Sequence, residues 1–270
     1  MSRIAEQFSQ LRNSGKKGFI PFVTAGDPDL EVSLEIVLKL AELGANVVEL
    51  GVPFSDPMAD GPTIQLSSQR ALQSGVNLTQ ILELVRQIRR RTDVPIVLFS
   101  YLNPLLQFGL SKLGPDAARA GVDGILITDV VDDEAKEIAD ILNPENLDLI
   151  SLIAPTTSDE RIARISSVSS GFIYAVSRAG VTGARSESSS DAEKLVLRAR
   201  NFSGLPIAVG FGISTRSQVE EVWRYADAAV VGSALVAEIE KTNSPANAMS
   251  SVTDFVSSLL PQVAKGLVEL

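Results

Sequence analysis

The sequence predicts a (β/α)8 barrel, a single α/β domain spanning residues 1–270 with one extra helix at its N-terminus. Three observations predict it: short apolar, β-branched runs recur eight times, stretches of helical periodicity separate them, and no linker or shift in composition divides the chain. Continuous apolar strands, each followed by a helix, are typical of a parallel sheet covered by helices. Eight such units fit a closed barrel better than an open doubly wound sheet, which usually has five or six strands.

The predicted elements follow in a regular order along the chain. Before the first strand, Ser2 precedes Ile4, Phe8 and Leu11 at helical spacing, which indicates a short amphipathic helix with Ser2 as its N-cap. The predicted strands are FIPFVTAG from residue 19, NVVELGV from 46, PIVLFSY from 95, GILITD from 124, LDLISLIA from 147, GFIYAVS from 171, PIAVGFG from 206 and AAVVGS from 228. Helical periodicity between strands is clearest in residues 29–45.

The charge of the chain argues against nucleic acid as a partner. The net charge is -9 and the pI is about 4.7, so the broad basic face of a nucleic-acid binder is missing. The only dense cationic run is the triplet RRR at residues 89–91. We expect it to be the solvated end of a helix, where cations are favoured, with no role in function.

The chain contains no cysteine and no histidine. Zinc sites built on these residues, catalytic triads, thiol chemistry and disulfides are therefore excluded, and we expect no metal site. Acid and base chemistry must fall to carboxylates, lysine, tyrosine or backbone groups.

No apolar run in the sequence approaches the roughly 18 to 20 residues of a membrane span. The N-terminal segment also lacks the apolar stretch of a secretory signal. We expect a cytoplasmic protein with no membrane contact.

Glu49 lies inside the second predicted strand. In a barrel, active sites are found at the carboxyl ends of the strands. Side chains alternate along a strand, so if Val48 and Leu50 pack under the helices, Glu49 points into the barrel near that end. Desolvation there would raise its pKa, as a general acid/base at neutral pH requires. The alternative is a glutamate paired to an internal cation, but none of the eight apolar runs contains one.

The loop that follows this strand, residues 53–62, is rich in proline and carries Asp56 and Asp60. Aspartates in such turns usually cap the backbone, and this reading stays open for both. Asp60 is the better candidate for chemistry if the loop folds back over the barrel, because two carboxylates in different environments can divide acid and base roles.

Glycine-rich turns follow the last two strands. Gly210 and Gly212 lead into one helix, and Gly232 and Ser233 lead into the next. Such turns expose backbone N–H groups toward an anion, and barrels often bind phosphate after strands seven and eight. The alternative is that glycine only permits a tight turn.

A long loop follows the sixth strand, with the sequence SRAGVTGAR over residues 177–185. Gly180 and Gly183 could act as hinges of a lid that carries Thr182 over the site and excludes water. An ordinary flexible surface loop explains the same residues equally well.

With these motifs in view, the chain resembles the tryptophan synthase alpha subunit family. The motifs that carry the resemblance are FIPFVTAGDP, ELGVPFSDPMADGPTIQ, LNPLLQFG, APTTSDERI, SRAGVTGAR, VGFGIS and VVGSALV, which span nearly the whole chain. The resemblance implies a (β/α)8 barrel that cleaves indole-3-glycerol phosphate by a retro-aldol reaction. It also implies that Glu49 is the acid/base catalyst and that Asp60 holds the indole N–H.

The resemblance implies roles for further residues. The indole pocket would be lined by Phe22, Tyr174 and Phe211. Phosphate would be held by Gly183, Gly212, Gly232 and Ser233. Thr182 matches the threonine of the family's lid, and the loop around Pro53 and Asp56 matches the contact with a beta subunit. That partner, expected in an alpha2beta2 assembly, carries pyridoxal phosphate and receives indole, so the chain itself would bind no cofactor.

The sequence departs from the family pattern at two places. Tyr101 is followed by Leu102 where a second tyrosine is common, and residues 128–134 lack a proline often found after the fourth strand. Two rival functions remain at this stage: a stand-alone lyase that releases free indole, and a non-catalytic barrel that only activates a beta subunit.

Overall fold

The computed structural model describes residues 2–130, 132–176, 187–210, 212–242 and 244–261. Eight parallel strands form a closed barrel in which each strand pairs with its sequence neighbours and β8 pairs with β1, as the sequence predicts. The strands are β1 Gly18–Thr24, β2 Val48–Gly51, β3 Ile96–Ser100, β4 Gly124–Ile127, β5 Asp148–Ile153, β6 Ile173–Val176, β7 Ile207–Gly210 and β8 Ala228–Val231.

Helices surround this barrel. Their bounds are α1 Arg3–Asn13, α2 Leu30–Glu42, α3 Pro62–Gln73, α4 Leu78–Arg89, α5 Leu102–Phe108, α6 Leu110–Ala120, α7 Asp132–Leu142, α8 Asp159–Val168, α9 Glu187–Arg200, α10 Arg216–Trp223, α11 Ser233–Glu240 and α12 Pro245–Leu259, with a 3-10 turn at Asn143–Glu145. Within the described ranges, no helix is long and apolar enough to cross a bilayer.

The extra helix α1 closes the N-terminal end of the barrel. Its N-cap is Ser2, whose hydroxyl accepts the N–H of Ala5 at 3.3 Å, as predicted. Its buried face, Ile4, Phe8 and Leu11, belongs to the same apolar cluster as the inward-facing strand residues. The ring of Phe8 lies 5.7 Å from that of Phe172, directly before β6. The opposite, carboxyl end of the barrel is therefore the end left for a site.

Successive side chains of β2 and the residue before it alternate between two apolar clusters. Val48 and Leu50 belong to the cluster that fills the space between strands and helices. Val47 belongs to the cluster inside the barrel. The period-two pattern therefore sends the side chain of Glu49 inward, where its strand register pairs it with Phe22 and Val97.

The prediction that residues 89–91 form a solvated helix end is wrong for the first of them. The guanidinium of Arg89 donates to Asp123 Oδ2 and to the carbonyl of Gly121, and only 13% of its side chain is exposed. The carbonyl of Gly121 at the C-cap of α6, the carbonyls of Thr92 and Val94 and the buried carboxylate of Asp123 attract it inward. Arg90 and Arg91 are exposed as expected.

Candidate active site

A cavity of about 290 Å³ opens at the carboxyl end of the barrel. It brings together most of the predicted site residues that the structure describes: Phe22, Glu49, Asp60, Tyr174, Gly212, Gly232 and Ser233. A larger crevice, of about 750 Å³, lies along β5 beside α7 and α8 and includes none of them. The smaller cavity is the candidate site because it brings Glu49 and Asp60 together.

Glu49 is the most unusual group in this cavity. Its side chain is 1% exposed, and among the described residues neither carboxylate oxygen has a hydrogen-bond partner. The alternative of a glutamate paired to an internal cation therefore finds no support in the described part of the chain. Burial raises the pKa of Glu49 from 4.5 to about 8, so this carboxyl is mostly protonated at neutral pH.

Asp60 faces the same cavity in a different environment. Burial raises its pKa from 3.8 to about 6, and a hydrogen bond from the Tyr101 hydroxyl acts in the opposite direction. Asp60 is therefore mostly ionised at pH 7, whereas Glu49 is mostly protonated. Such a pair can supply a proton from one carboxyl and hold a positive charge with the other.

The backbone around Asp60 is held by local contacts. The N–H of Asp60 donates to the carbonyl of Pro57 at 3.0 Å, and the side chain of Gln65 donates to the carbonyl of Asp60 at 2.9 Å. Helix α3 then begins at Pro62, with Gly61 at the N-cap and no side-chain cap. Among the described residues, the Asp60 carboxylate is therefore hydrogen-bonded to Tyr101. It does not cap the start of α3.

Tyr101 is a site residue for which the sequence predicted no role. Its hydroxyl donates to Asp60 Oδ2 at 3.1 Å and accepts the N–H of Ala59 at 2.9 Å. Its ring lies 5.2 Å from that of Phe54 in the same loop. The available signal was its position directly after β3, at the carboxyl end of the barrel.

Aromatic rings form the walls of the cavity. Phe22 and Phe99 meet edge to face, with ring centroids 5.3 Å apart and an angle of 79°. Phe99 was not among the predicted residues, although its place near the end of β3 pointed toward the site. Tyr174 is 8% exposed and its ring packs closely against the backbone of Gly210. These rings offer apolar, aromatic surface to a bound group.

The glycine turns after β7 and β8 lie beside these rings. Gly212 has φ 69°, a left-handed conformation that favours glycine. Gly232 is the N-cap of α11, and Ser233 is its first residue, so the N–H groups at the start of this helix lie at the cavity. Positive helix ends of this kind attract anions. Phe211, Thr182 and Gly183 lie outside the described residues.

The loop predicted to contact a partner is partly exposed. Pro53 is buried, whereas Asp56 is exposed and is hydrogen-bonded to the hydroxyl of Ser55. Met58, in the same loop, is 93% exposed. The role of Pro53 and Asp56 in partner contact stays a prediction.

Comparison with known proteins identifies the family of this chain. The family model of the tryptophan synthase alpha chain matches residues 8–263. A relative with that name from Citrifermentans bemidjiense is 51% identical over 266 residues, which cover 98% of this chain and 99% of the relative.

Solved structures have the same fold. The tryptophan synthase subunit alpha of Legionella pneumophila str. Paris superposes with a TM-score of 0.87 at 35% identity, covering 96% of this chain and 97% of that one. A chain from the tryptophan synthase a2b2 complex of Pyrococcus furiosus superposes with a TM-score of 0.84 at 41% identity, covering 90% and 97%. The chain therefore belongs to the tryptophan synthase alpha chain family, whose members are lyases that cleave indole-3-glycerol phosphate in tryptophan biosynthesis.

Proposed function

We propose that the cavity binds indole-3-glycerol phosphate and that Glu49 and Asp60 together carry out its retro-aldol cleavage to indole and glyceraldehyde 3-phosphate. The observation that carries this assignment is the fully buried Glu49, whose carboxylate has no partner among the described residues and has a pKa raised to about 8. Burying a carboxyl without a hydrogen-bond partner costs stability, and groups with such perturbed pKa values cluster at functional sites. The family's reaction provides that use.

The chemistry needs one proton donor and one anion. Carbon 3 of the indole ring must be protonated before the bond to the glycerol side chain breaks, and Glu49 in its protonated form can donate that proton. The electrons of the broken bond return to the ring as the side-chain hydroxyl loses its proton and becomes an aldehyde. If Glu49 accepts that proton, it ends the cycle protonated, as it began.

Positive charge develops on the ring nitrogen during these steps. Asp60, mostly ionised at pH 7, can accept a hydrogen bond from the ring N–H and stabilise that charge. Tyr101 holds the carboxylate by its hydrogen bond to Oδ2. The neutral acid and the ionised acceptor thus have separate roles in one cavity.

The remaining walls suit the other two parts of the substrate. Phe22, Phe99 and Tyr174 offer apolar and aromatic surface to an indole ring. Gly212, Gly232 and Ser233 offer the backbone groups of a turn and a helix start to a phosphate. Binding by neutral amides explains how a chain of net charge -9 could accept an anionic substrate.

We further propose that the chain works with a tryptophan synthase beta subunit, in an alpha2beta2 assembly, and passes indole to it. The exposed loop around Asp56 and Met58 is the proposed contact, and it is continuous with the Asp60 segment. Pyridoxal phosphate is expected on that partner alone, and a cytoplasmic location remains an expectation.

Incubation of the purified chain with indole-3-glycerol phosphate, with indole release followed over time, tests the proposed reaction. We expect slow release by the chain alone and a faster rate when a beta subunit is added. No release under either condition would contradict the proposed reaction. A rate that is unchanged by the beta subunit would instead favour a stand-alone lyase.

A further inference from the structure

Helix α3 begins two residues after Asp60, and its side chains connect that loop to other parts of the barrel. Gln65 donates to the carbonyl of Asp60 at 2.9 Å, so the backbone that carries the carboxylate is tied to the first turns of α3. Ser67, on the same helix, shares a buried hydrogen bond of 2.7 Å with Thr24 at the end of β1. The position of Asp60 therefore depends on the position of α3.

Arg70, one turn further along α3, makes three charged hydrogen bonds. Its Nε and Nη2 donate to the two carboxylate oxygens of Asp27 at 2.8 and 2.9 Å, and its Nη1 donates to Glu240 at 2.8 Å. Asp27 is only 4% exposed, so it needs this partner. The rigid planar fork of a guanidinium fixes direction as well as distance, which a lysine would not do.

Glu240 is the last residue of α11, and Ser233 at the other end of that helix faces the cavity. The helix has 8 residues and is about 12 Å long by its rise per residue. The contact of Glu240 with Arg70, and that of Gln65 with the carbonyl of Asp60, thus form a continuous connection from the cavity end of α11 through α3 to the Asp60 loop.

We propose that Arg70 is a positioning residue that couples phosphate binding at the start of α11 to the placement of Asp60. This inference rests on the proposed function, in which the start of α11 holds the phosphate and Asp60 meets the ring. Binding energy from a remote phosphate would then be used to orient a group at the reacting ring. The alternative is that Arg70 only stabilises the fold, as many ion pairs do.

The two roles differ in how the two halves of the substrate affect each other's binding. Indole and glycerol 3-phosphate serve as probes of the ring end and the phosphate end. In the wild-type chain, we expect saturating glycerol 3-phosphate to tighten indole binding at least about fivefold, the lower end of common coupling between sites. In Arg70→Gln, we expect saturating glycerol 3-phosphate to change the affinity for indole by no more than about twofold. Calorimetry with each probe alone and with both together measures the factor.

A second test variant and a control variant complete the experiment. Glu240→Ala removes the acceptor of the link to α11 and leaves the pair with Asp27 in place, so we expect the same loss of coupling in a well-folded protein. Arg91→Gln breaks the exposed pair with Glu35, away from the cavity, and should keep the wild-type factor.

The inference would be overturned if coupling in Arg70→Gln and Glu240→Ala equals the wild-type value. It would also be overturned if the wild-type chain binds both probes without coupling. Neither result touches the proposed reaction if the wild-type chain still cleaves indole-3-glycerol phosphate. A wild-type chain that neither binds indole nor cleaves the substrate would overturn the proposed function, and this inference with it.

Discussion

The hydroxyl of Tyr101 lies 3.1 Å from Oδ2 of Asp60 and donates a hydrogen bond to it. The same hydroxyl accepts the N–H of Ala59, so the residue after β3 is linked to the loop after β2 at two points. A hydrogen bond to an ionised carboxylate favours the charged form. Tyr101 therefore lowers the pKa of Asp60 against the larger effect of burial, which raises it.

Replacing Tyr101 by phenylalanine should move the acid limb of the pH profile. The wild-type kcat/KM should be highest between about pH 6, where Asp60 ionises, and about pH 8, where Glu49 loses its proton. Tyr101→Phe removes a hydrogen bond that lowers the Asp60 pKa, so the acid limb should shift to higher pH while the alkaline limb stays. We also expect kcat/KM at pH 7 to fall roughly tenfold, the effect of losing one hydrogen bond to a charged group.

Tyr225→Phe provides the control, because Tyr225 precedes β8 at the far end of the barrel. Its profile should match that of the wild type. An acid limb that is unchanged in Tyr101→Phe would show that Asp60 does not set it.

Glu49 should make the folded chain less stable as the pH rises. Below about pH 4.5 this carboxyl is protonated in both folded and unfolded chains; between about 4.5 and 8 only the folded chain keeps the proton. Stability is lost across that window, since the unfolded state there binds fewer protons. The loss is on the order of 3 to 5 kcal/mol, at about 1.4 kcal/mol per pH unit.

Glu49→Gln removes this titration, so its free energy of unfolding relative to wild type should increase by a few kcal/mol between pH 5 and pH 8. Urea unfolding at several pH values measures the difference. Glu160→Gln, at an exposed position, should show no such trend. A constant difference between Glu49→Gln and wild type would argue against a raised pKa.

Gly210 should not tolerate a larger side chain. A Cβ at this position would lie 2.1 Å from the hydroxyl oxygen of Tyr174 and 2.7 Å from its ring carbon Cζ. Gly210→Ala should therefore displace Tyr174, lower kcat/KM at least roughly tenfold and cost about 1 to 3 kcal/mol of stability through overpacking. Gly204→Ala is the matched control, because a Cβ there meets no atom within 4 Å. Activity within about twofold of wild type in Gly210→Ala would contradict this description of the cavity wall.

The fold could be predicted because its signals are local. Apolar runs and helical periodicity recur at each of the eight units, and the order of strands in a barrel follows the order of the chain. The inward direction of Glu49 also followed from alternation along one strand. These inferences need no knowledge of distant contacts.

The missed features depend on contacts between distant segments. Tyr101 meets Asp60 across 41 positions of sequence, and Arg70 meets Glu240 across 170. Arg89 was expected in solvent because cations favour helix ends, but Asp123 and the carbonyl of Gly121 provide a better environment for it. No periodicity or motif in a single sequence reports such pairings.

The most direct test of the account is the kcat for indole release from indole-3-glycerol phosphate by Glu49→Gln, compared with wild type. If Glu49 donates the proton to carbon 3, we expect kcat to fall at least about 100-fold, the usual lower range for a general acid, with substrate binding retained. Beta-subunit activation should persist in the variant. A kcat within about tenfold of wild type would contradict the central claim and show that a group other than Glu49 donates the proton to carbon 3.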